Sequence, residues 1–219
     1  PWTALRVRDN GTSTLWEPFR PRSHAGIRRH LRKSVAGDQL VFEEEHLGLG
    51  MVFRYRWAPS ERFGWVRTAT LSAPRTRRPL VIQVVDGLQG LVPADAPLGL
   101  VQKSSCLVDA YTRAEWVGRL ALVSLEALPS DRAEPAESLR ATVAWCEGLE
   151  PEAVLLSRDQ LDSFARGLTP RHESLITGRP GAFLVSSTLE LAPGGTRSWH
   201  VAVDSRRTHL DVAELRCLP

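Results

Sequence analysis

The sequence predicts a mainly β protein: a large antiparallel β-sandwich with a few short helices. Three observations predict this class. Apolar and polar residues alternate along most of the chain, glycine and proline punctuate these segments, and helix-start signals are few. A chain of 219 residues is long enough for one large all-β domain. We therefore expect residues 1–219 to form a single sandwich domain.

The clearest strand signals lie between residues 40 and 71. Residues 53–57 (FRYRW) alternate aromatic and arginine side chains, which predicts one apolar and one charged face. Residues 40–45 (LVFEEE) predict a hairpin partner, because the glycines of residues 46–50 (HLGLG) suit a tight connection. Residues 65–71 (WVRTATL) alternate again and predict the next strand.

Later segments continue the pattern. Residues 80–85 are apolar on both faces except at Gln83, as in a central strand. Residues 120–128 and the segment around 139–145 follow as strands. The last two strands, 183–191 and 197–203, direct apolar side chains toward a common core, and residues 193–195 (PGG) predict a hairpin between them.

Helix signals are confined to three places. Ser157 and Gln160 have the spacing of a capping box, which predicts a helix with an apolar stripe at residues 161, 164 and 168 and a stop at Gly167. Residues 107–111 have helical spacing, in a segment expected to end near Gly118. Residues 210–218 predict the opening of another helix.

Charge and composition exclude several partner classes. The net charge of +3 is small for a nucleic-acid-binding protein, and the basic run of residues 20–33 lacks the interleaved aromatic residues of a single-strand platform. No apolar run approaches the roughly 20 residues that cross a bilayer. We therefore expect no nucleic acid and no membrane as partners. The basic run is interpreted as a solvated surface or a contact with another domain.

The three cysteines favour a cytoplasmic protein. Cys106, Cys146 and Cys217 are widely spaced and form no metal-type pair, which predicts free, mostly buried thiols in a reducing compartment. The six histidines never occur at metal-ligand spacing, and no nucleotide-binding fingerprint is present. No cofactor and no metal ion are expected.

Polar and aromatic residues at strand ends suggest a sugar site. Sugars are bound by aromatic faces and by planar polar groups that pair with hydroxyls. The candidate substrate-binding residues are Trp57, Arg62, Trp65, Asp86, Gln89, Asp131, Arg132 and Glu134. The alternative interpretation is structural: a turn cap, an ion pair and core tryptophans. Paired carboxylates in residues 43–45 are disfavoured as a glycosidase site, because neighbours in a strand point to opposite faces.

Several short segments resemble one family. Residues 155–161 (LLSRDQL), 179–182 (RPGA) and 189–196 (LELAPGGT) are similar to the end of the N-terminal domain of glycoside hydrolase family 94, the cellobiose and chitobiose phosphorylases. Residues 15–18 (LWEP) and 42–45 with 49–50 resemble its earlier turn and hairpin. Residues 85–89 (VDGLQ) and 131–135 (DRAEP) resemble cellobiose phosphorylase-like proteins.

The resemblance implies a supersandwich related to galactose mutarotase, followed by an (α/α)6 catalytic barrel. In that family the general acid and the phosphate site lie in the barrel, so no catalytic residue is assigned here. The chain is then an N-terminal, non-catalytic module of a longer phosphorylase or hydrolase. Its expected partners are an oligosaccharide or glucoside, the C-terminal helical domain and a second copy in a homodimer.

Two alternatives stay open. One is a structural or protein-interaction sandwich without sugar affinity. The other is an aldose-epimerase-like enzyme, which requires a histidine and a carboxylate converging on one concave face; the sequence shows no clear counterpart of that pair.

Overall fold

The computed structural model describes residues 1–9, 11–21, 26–96, 98–126 and 139–217. Within these ranges, two antiparallel sheets pack face to face, which confirms the predicted fold class. The smaller sheet has five strands: β1 (Trp2–Asp9), β2 (Thr12–Trp16), β7 (Leu80–Leu91), β11 (Ala153–Leu155) and β13 (Gly181–Leu191). Their spatial order is β11-β13-β7-β1-β2.

The larger sheet has nine strands. They are β3 (Ile27–Lys33), β4 (Leu40–His46), β5 (Met51–Ser60), β6 (Gly64–Ser72), β8 (Thr112–Val117), β9 (Leu120–Leu125), β10 (Arg140–Glu147), β12 (Leu175–Thr177) and β14 (Thr196–Thr208). Their spatial order is β12-β8-β9-β10-β14-β6-β5-β4-β3. The final strand, β14, is therefore central, and β3 is an edge strand.

Strand alternation sends one set of side chains between the sheets. Leu5 and Val7 of β1, Ile82 and Val84 of β7, and Phe53 of β5 belong to this main core and are almost fully buried. The arginines between the aromatic residues of β5 are exposed, as the alternation predicts. The apolar burial between the sheets supplies the main stabilising free energy, about 25 cal/mol per Å² of apolar surface removed from water.

Four short helices complete the described structure: α1 (Leu98–Lys103), α2 (Ser105–Tyr111), α3 (Leu161–Ala165) and α4 (His209–Arg216). The α3 residues Leu161 and Phe164 pack in a second apolar cluster with residues of the five-stranded sheet, and Leu215 of α4 packs in a third cluster with residues of β9, β10 and β14. No helix among the described residues is both long and apolar enough to cross a bilayer.

The predicted hairpin at residues 193–195 is wrong. β13 pairs with β7 and β11 in one sheet, whereas β14 pairs with β10 and β6 in the other, so the turn is an arch between sheets. The arch is fixed by Ala73: the Gly194 N–H donates to the Ala73 carbonyl at 2.9 Å, and the Ala73 N–H donates to the Gly195 carbonyl at 3.0 Å. Both strands direct apolar side chains into the main core, as the alternation predicts, but they do so from opposite sheets and so form no hydrogen bonds with each other.

The helix predictions also need correction. Gln160 is the N-cap of α3 but makes no side-chain cap, and the Ser157 hydroxyl instead bonds to the Glu173 carboxylate, so no capping box forms. Leu168 lies beyond the short helix and is exposed. The segment containing residues 107–111 ends as a helix at Tyr111, and β8 occupies the stretch before Gly118. The C-terminal helix is confirmed as α4.

Candidate functional site

The predicted sugar-binding residues do not converge on one surface. Arg62 is exposed in the turn between β5 and β6, and its guanidinium lies 5.3 Å from the centre of the Phe63 ring. Trp65 is 53% exposed at the start of β6, and Trp57 is half-buried against the main core. These two tryptophans lie on the same face of neighbouring strands.

The other predicted residues lie elsewhere. Gln89 is exposed near the end of β7. Asp86, on the same strand, is completely buried. Asp131, Arg132 and Glu134 fall outside the described residues. The predicted set is therefore divided among the hairpin end, the core and the end of β7.

Asp86 is the centre of a buried ionic cluster that joins the two sheets. Its Oδ1 and Oδ2 atoms accept from Arg67 Nη1 at 2.9 and 2.8 Å. Trp199 Nε1 donates to Oδ2 at 2.6 Å, and the Thr3 hydroxyl donates to Oδ1 at 2.5 Å. Asp86, Arg67 and Trp199 are each 0% exposed. A ligand cannot reach this carboxylate without opening the core, and the role that we assign to Asp86 is structural.

Tyr55 covers the guanidinium of this cluster. The Arg67 guanidinium carbon lies 4.6 Å from the centre of the Tyr55 ring, which places the cation against the ring face. Burial raises the pKa of the Tyr55 hydroxyl above its ordinary value, with Arg67 opposing and Asp86 reinforcing the shift. Arg67 Nε has no hydrogen-bond acceptor within the described residues. Both aromatic packing and ion pairing hold the buried cation.

A second buried carboxylate fixes a strained turn. Glu44 is 1% exposed; its Oε1 accepts from Trp16 Nε1, and its Oε2 accepts from the Phe19 N–H and from Arg29 Nε, all at 2.7 Å. Phe19 has a φ of 66°, in the left-handed region that a residue with a Cβ adopts at a cost of about 1–3 kcal/mol. The bond to Glu44 helps to hold Phe19 in this conformation.

The two sequence neighbours of Glu44 lie on the other face of β4, as strand alternation predicts. Glu43 and Glu45 point to the opposite face from Glu44, where exposed arginines pair with them. Because Glu44 is occupied by three donors and its neighbours form ion pairs on the other face, the acidic run is structural.

Phe19 lines a small cavity near the start of β1, which we call the aromatic cavity. Its volume is about 180 Å³, and its lining residues are Pro1, Trp2, Thr3, Pro18, Phe19, Arg20, Tyr55 and Gln89. The rings of Phe19 and Tyr55 meet edge-on at 5.2 Å between centroids. Exposed Gln89 and Arg20 supply planar polar groups at the rim. The cavity therefore combines aromatic and planar polar side chains, the two kinds of group that bind sugars.

A larger cavity lies toward the opposite end of β1, and we call it the arginine cavity. Its volume is about 400 Å³, and its lining residues are Val7, Asp9, Leu47, Gly48, Leu49, Gly50, Arg75, Thr76, Arg77, Arg78 and Leu80. The sequence interpretation missed it. The signal was present, since three arginines occur within four residues between Pro74 and Pro79. The apolar residues that complete the cavity, such as Val7 and Leu47, are far from these arginines in sequence and come close to them only in the folded chain.

In the part of the chain that the structure describes, the thiols and the other titratable groups form no metal site. Within the described ranges, no three His, Cys, Asp or Glu side chains are placed to hold a metal ion. The expectation of mostly buried thiols is wrong for Cys106 and Cys217, which are exposed. Burial raises the pKa of the Cys146 thiol to about 12, with Asp86 as a smaller cause. We therefore expect Cys146 to be the least reactive of the three thiols.

Comparison with known proteins supports the fold. No protein-family model and no curated protein matches the sequence. Among solved structures, 36 chains match; one of them is a polysaccharide lyase with a TM-score of 0.52 and 12% sequence identity. The match covers 98% of this chain and 27% of the lyase, so the chain spans about a quarter of that protein. At this identity the likeness establishes a shared β-sandwich fold. Membership of family 94 and the mutarotase-like form of the sandwich stay predictions.

Proposed function

We propose that this chain is a non-catalytic β-sandwich module of a carbohydrate-active protein and that it binds a sugar ring in the aromatic cavity. The observation that carries the proposal is the strained position of Phe19, which Glu44 holds beside Tyr55 at the cavity wall. A left-handed non-glycine residue persists only where the surrounding structure maintains it, and such residues cluster at ligand sites. The fold shared with part of a polysaccharide lyase supports the same class of function.

The chemistry of the cavity supports binding and gives no role to acid–base catalysis. Phe19, which is half-buried at the cavity wall, offers ring surface to the C–H groups of a sugar, and Gln89 offers one donor group and one acceptor to its hydroxyls. Tyr55 supports Phe19 from below, because its own ring is buried between Arg67 and Phe42. The two nearby carboxylates, Asp86 and Glu44, are already bonded to cations and indole N–H groups. These carboxylates accept hydrogen bonds from Thr3 and Phe19 and so position two of the residues that line the cavity.

In its finer form, the proposal includes packing on a helical catalytic domain, as in the family-94 resemblance. Two surfaces are candidates for this contact: the basic run of residues 20–33, part of which forms β3, and the C-terminal helix α4. Leu215 of α4 packs inside the chain itself, whereas every residue of β3 from 28 to 33 is exposed, with Leu31 66% exposed among basic side chains. We assign the packing contact to β3. In the full-length protein, phenylglyoxal should modify Arg28 and Arg32 more slowly than in the isolated chain; equal rates would exclude this contact.

The binding proposal is tested with cello-oligosaccharides and other neutral oligosaccharides by calorimetry. Gln89→Ala should weaken binding by about fivefold to tenfold, because one hydrogen bond contributes about 1 kcal/mol. Gln102→Ala, which removes the same exposed side chain from α1, should bind as the unchanged protein does. If neither neutral nor acidic oligosaccharides bind to the folded protein, the chain is a structural or protein-interaction sandwich and the proposal is wrong.

A further inference from the structure

We propose that the arginine cavity binds the anionic group, a carboxylate or a sulfate, of an acidic oligosaccharide. This inference rests on the proposed function, because it names a second contact and a charge class for the same kind of ligand. The aromatic cavity lies near Thr3, at the start of β1, whereas the arginine cavity begins at Val7 and Asp9, at the end of the same strand. The two cavities are therefore separate subsites.

The charge of the cavity favours an anion. Three guanidinium groups and one carboxylate, that of Asp9, line it. Arg75 is already paired, since its Nη1 lies 2.7 Å from Glu45 Oε1. Arg77 and Arg78 are exposed, and neither forms an ion pair with another described residue. Two planar donors are thus left to bind a carboxylate or sulfate, and guanidinium groups bind such oxygens through paired hydrogen bonds.

The loop that carries these arginines is held in place. The Arg75 N–H donates to the Gly50 carbonyl at 3.2 Å, and the Thr76 hydroxyl donates to the Ala73 carbonyl at 3.2 Å. At Gly50, φ is 66° and an added Cβ would lie 3.1 Å from the backbone carbon of Arg75. The close approach of the two turns forms the cavity before any ligand arrives, which lowers the entropic cost of binding.

The remaining lining residues favour a sugar over a free inorganic anion. Leu47, Leu49 and Leu80 provide an apolar wall, and Asp9 provides an acceptor for hydroxyl groups. A free phosphate gains nothing from the wall and is repelled by Asp9. A volume of about 400 Å³ lies within the range of roughly 300–1,000 Å³ that is typical of small-molecule sites. An acidic sugar can contact the arginines with its anionic group, the leucines with its ring and Asp9 with its hydroxyl groups.

The test compares four probes on the 219-residue chain: oligogalacturonate, a sulfated oligosaccharide, a cello-oligosaccharide and inorganic phosphate. The first two should bind more tightly than the others and should lose affinity as salt concentration rises. Their relative affinities distinguish a carboxylate from a sulfate ligand. Arg77→Gln combined with Arg78→Gln should weaken binding of the preferred acidic probe at least tenfold and leave cello-oligosaccharide binding unchanged.

The matched control is Arg56→Gln combined with Arg171→Gln, which removes the same two charges from exposed positions outside both cavities. This control should bind the acidic probe as the unchanged protein does. An equal loss in control and test variants would overturn the site, because binding would then depend on net charge alone. Equal affinity for phosphate and for acidic sugars would also overturn it. Either failure leaves neutral-sugar binding, and so the proposed function, intact.

Discussion

Arg67 and Asp86 lie on opposite sheets of the sandwich, and their side chains meet in the core with 2.8 Å between Nη1 and Oδ2. Thr3 bonds to both members of the pair, and Trp199 bonds to the carboxylate. The cluster therefore ties β1 and β7 of the smaller sheet to β6 and β14 of the larger sheet. Buried pairs of this kind are costly to break and less costly to replace as a whole.

The first prediction concerns this pair. Asp86→Asn leaves the Arg67 charge uncompensated in the core and should lower the free energy of unfolding by about 3–5 kcal/mol, measured by urea denaturation. Glu43→Gln, which removes a carboxylate from exposed pairs, should cost less than about 1 kcal/mol. Combining Arg67→Met with Asp86→Leu should cost less than the sum of the two single changes. A strictly additive result would show that the two residues do not interact.

The second prediction concerns the close approach of β7 and β13. Gly87 has a φ of 157°, and an added Cβ would lie 2.1 Å from the Phe183 carbonyl oxygen. Gly87→Ala should therefore separate these two central strands and abolish folding or reduce soluble yield sharply. Gly99→Ala, in α1, meets no atom within 4 Å and should be neutral or stabilising by up to about 1 kcal/mol. Equal thermal midpoints for the two variants would contradict the predicted clash.

The third prediction concerns Glu44 and Phe19. Glu44→Gln replaces one carboxylate oxygen with an NH₂ group, so at least one of the three buried donors loses its acceptor, and the change should cost about 2–3 kcal/mol of unfolding free energy. Freed from its bond to Glu44, Phe19 should leave its left-handed conformation and weaken neutral-sugar binding. Glu45→Gln is the control, because among the described residues Glu45 pairs with the exposed arginines Arg28 and Arg75 on the other face. Loss of stability with unaltered sugar affinity would remove Phe19 from the site.

The fourth prediction concerns thiol reactivity. Ellman's reagent should modify Cys106 and Cys217 rapidly in the folded protein, since both are exposed. Cys146 should react much more slowly until the protein unfolds, because its partly buried thiol has a pKa of about 12 and the thiolate is the reactive species. Cys146→Ser should leave the rapid reaction unchanged, whereas three rapidly reacting thiols would contradict the packing of β10.

The fifth prediction concerns alkaline pH. The Cys146 thiol has a pKa of 9.0 in the unfolded chain and of about 12 in the folded chain, so the unfolded chain loses this proton at lower pH. The unfolded state therefore binds fewer protons in this window, and the free energy of unfolding should fall as pH rises from 9 toward 12. Cys146→Ala should make the fall less steep, with the raised pKa of Tyr55 contributing the remainder in the upper part of the window. An unchanged slope would contradict the shift.

The fold class could be predicted because alternation reports burial directly. The hairpin of β4 and β5 has one face that is apolar except for buried Glu44 and one charged face, and its turn lies at the glycines that suggested it. Alternation does not report the hydrogen-bonding partner. The segment around residues 193–195 therefore reads like a hairpin, although its two strands belong to different sheets.

The candidate site was harder to predict for a related reason. Asp86 and Gln89 are three residues apart on one strand, but one faces the core and the other lies at a cavity rim. Asp86 attracted a functional interpretation because it directly follows the apolar residues 80–85, which suggests a strand end, whereas β7 continues to Leu91. Its partners Arg67 and Trp199 are far away in sequence. The cavities depend on such long-range contacts, which periodicity does not encode.

The central position of β14 has a consequence for the order of folding. Before this strand is inserted, the larger sheet consists of two separate halves, one ending at β6 and the other at β10, each with an unpaired edge. The last strand of the chain must enter the gap between them and bring Trp199 to Asp86 at the same time. Closure is therefore late and non-local. A ribosome-bound chain whose synthesis stops before β14 would expose two aggregation-prone edges at once, and the 13 residues of β14 would turn two half-sheets into one.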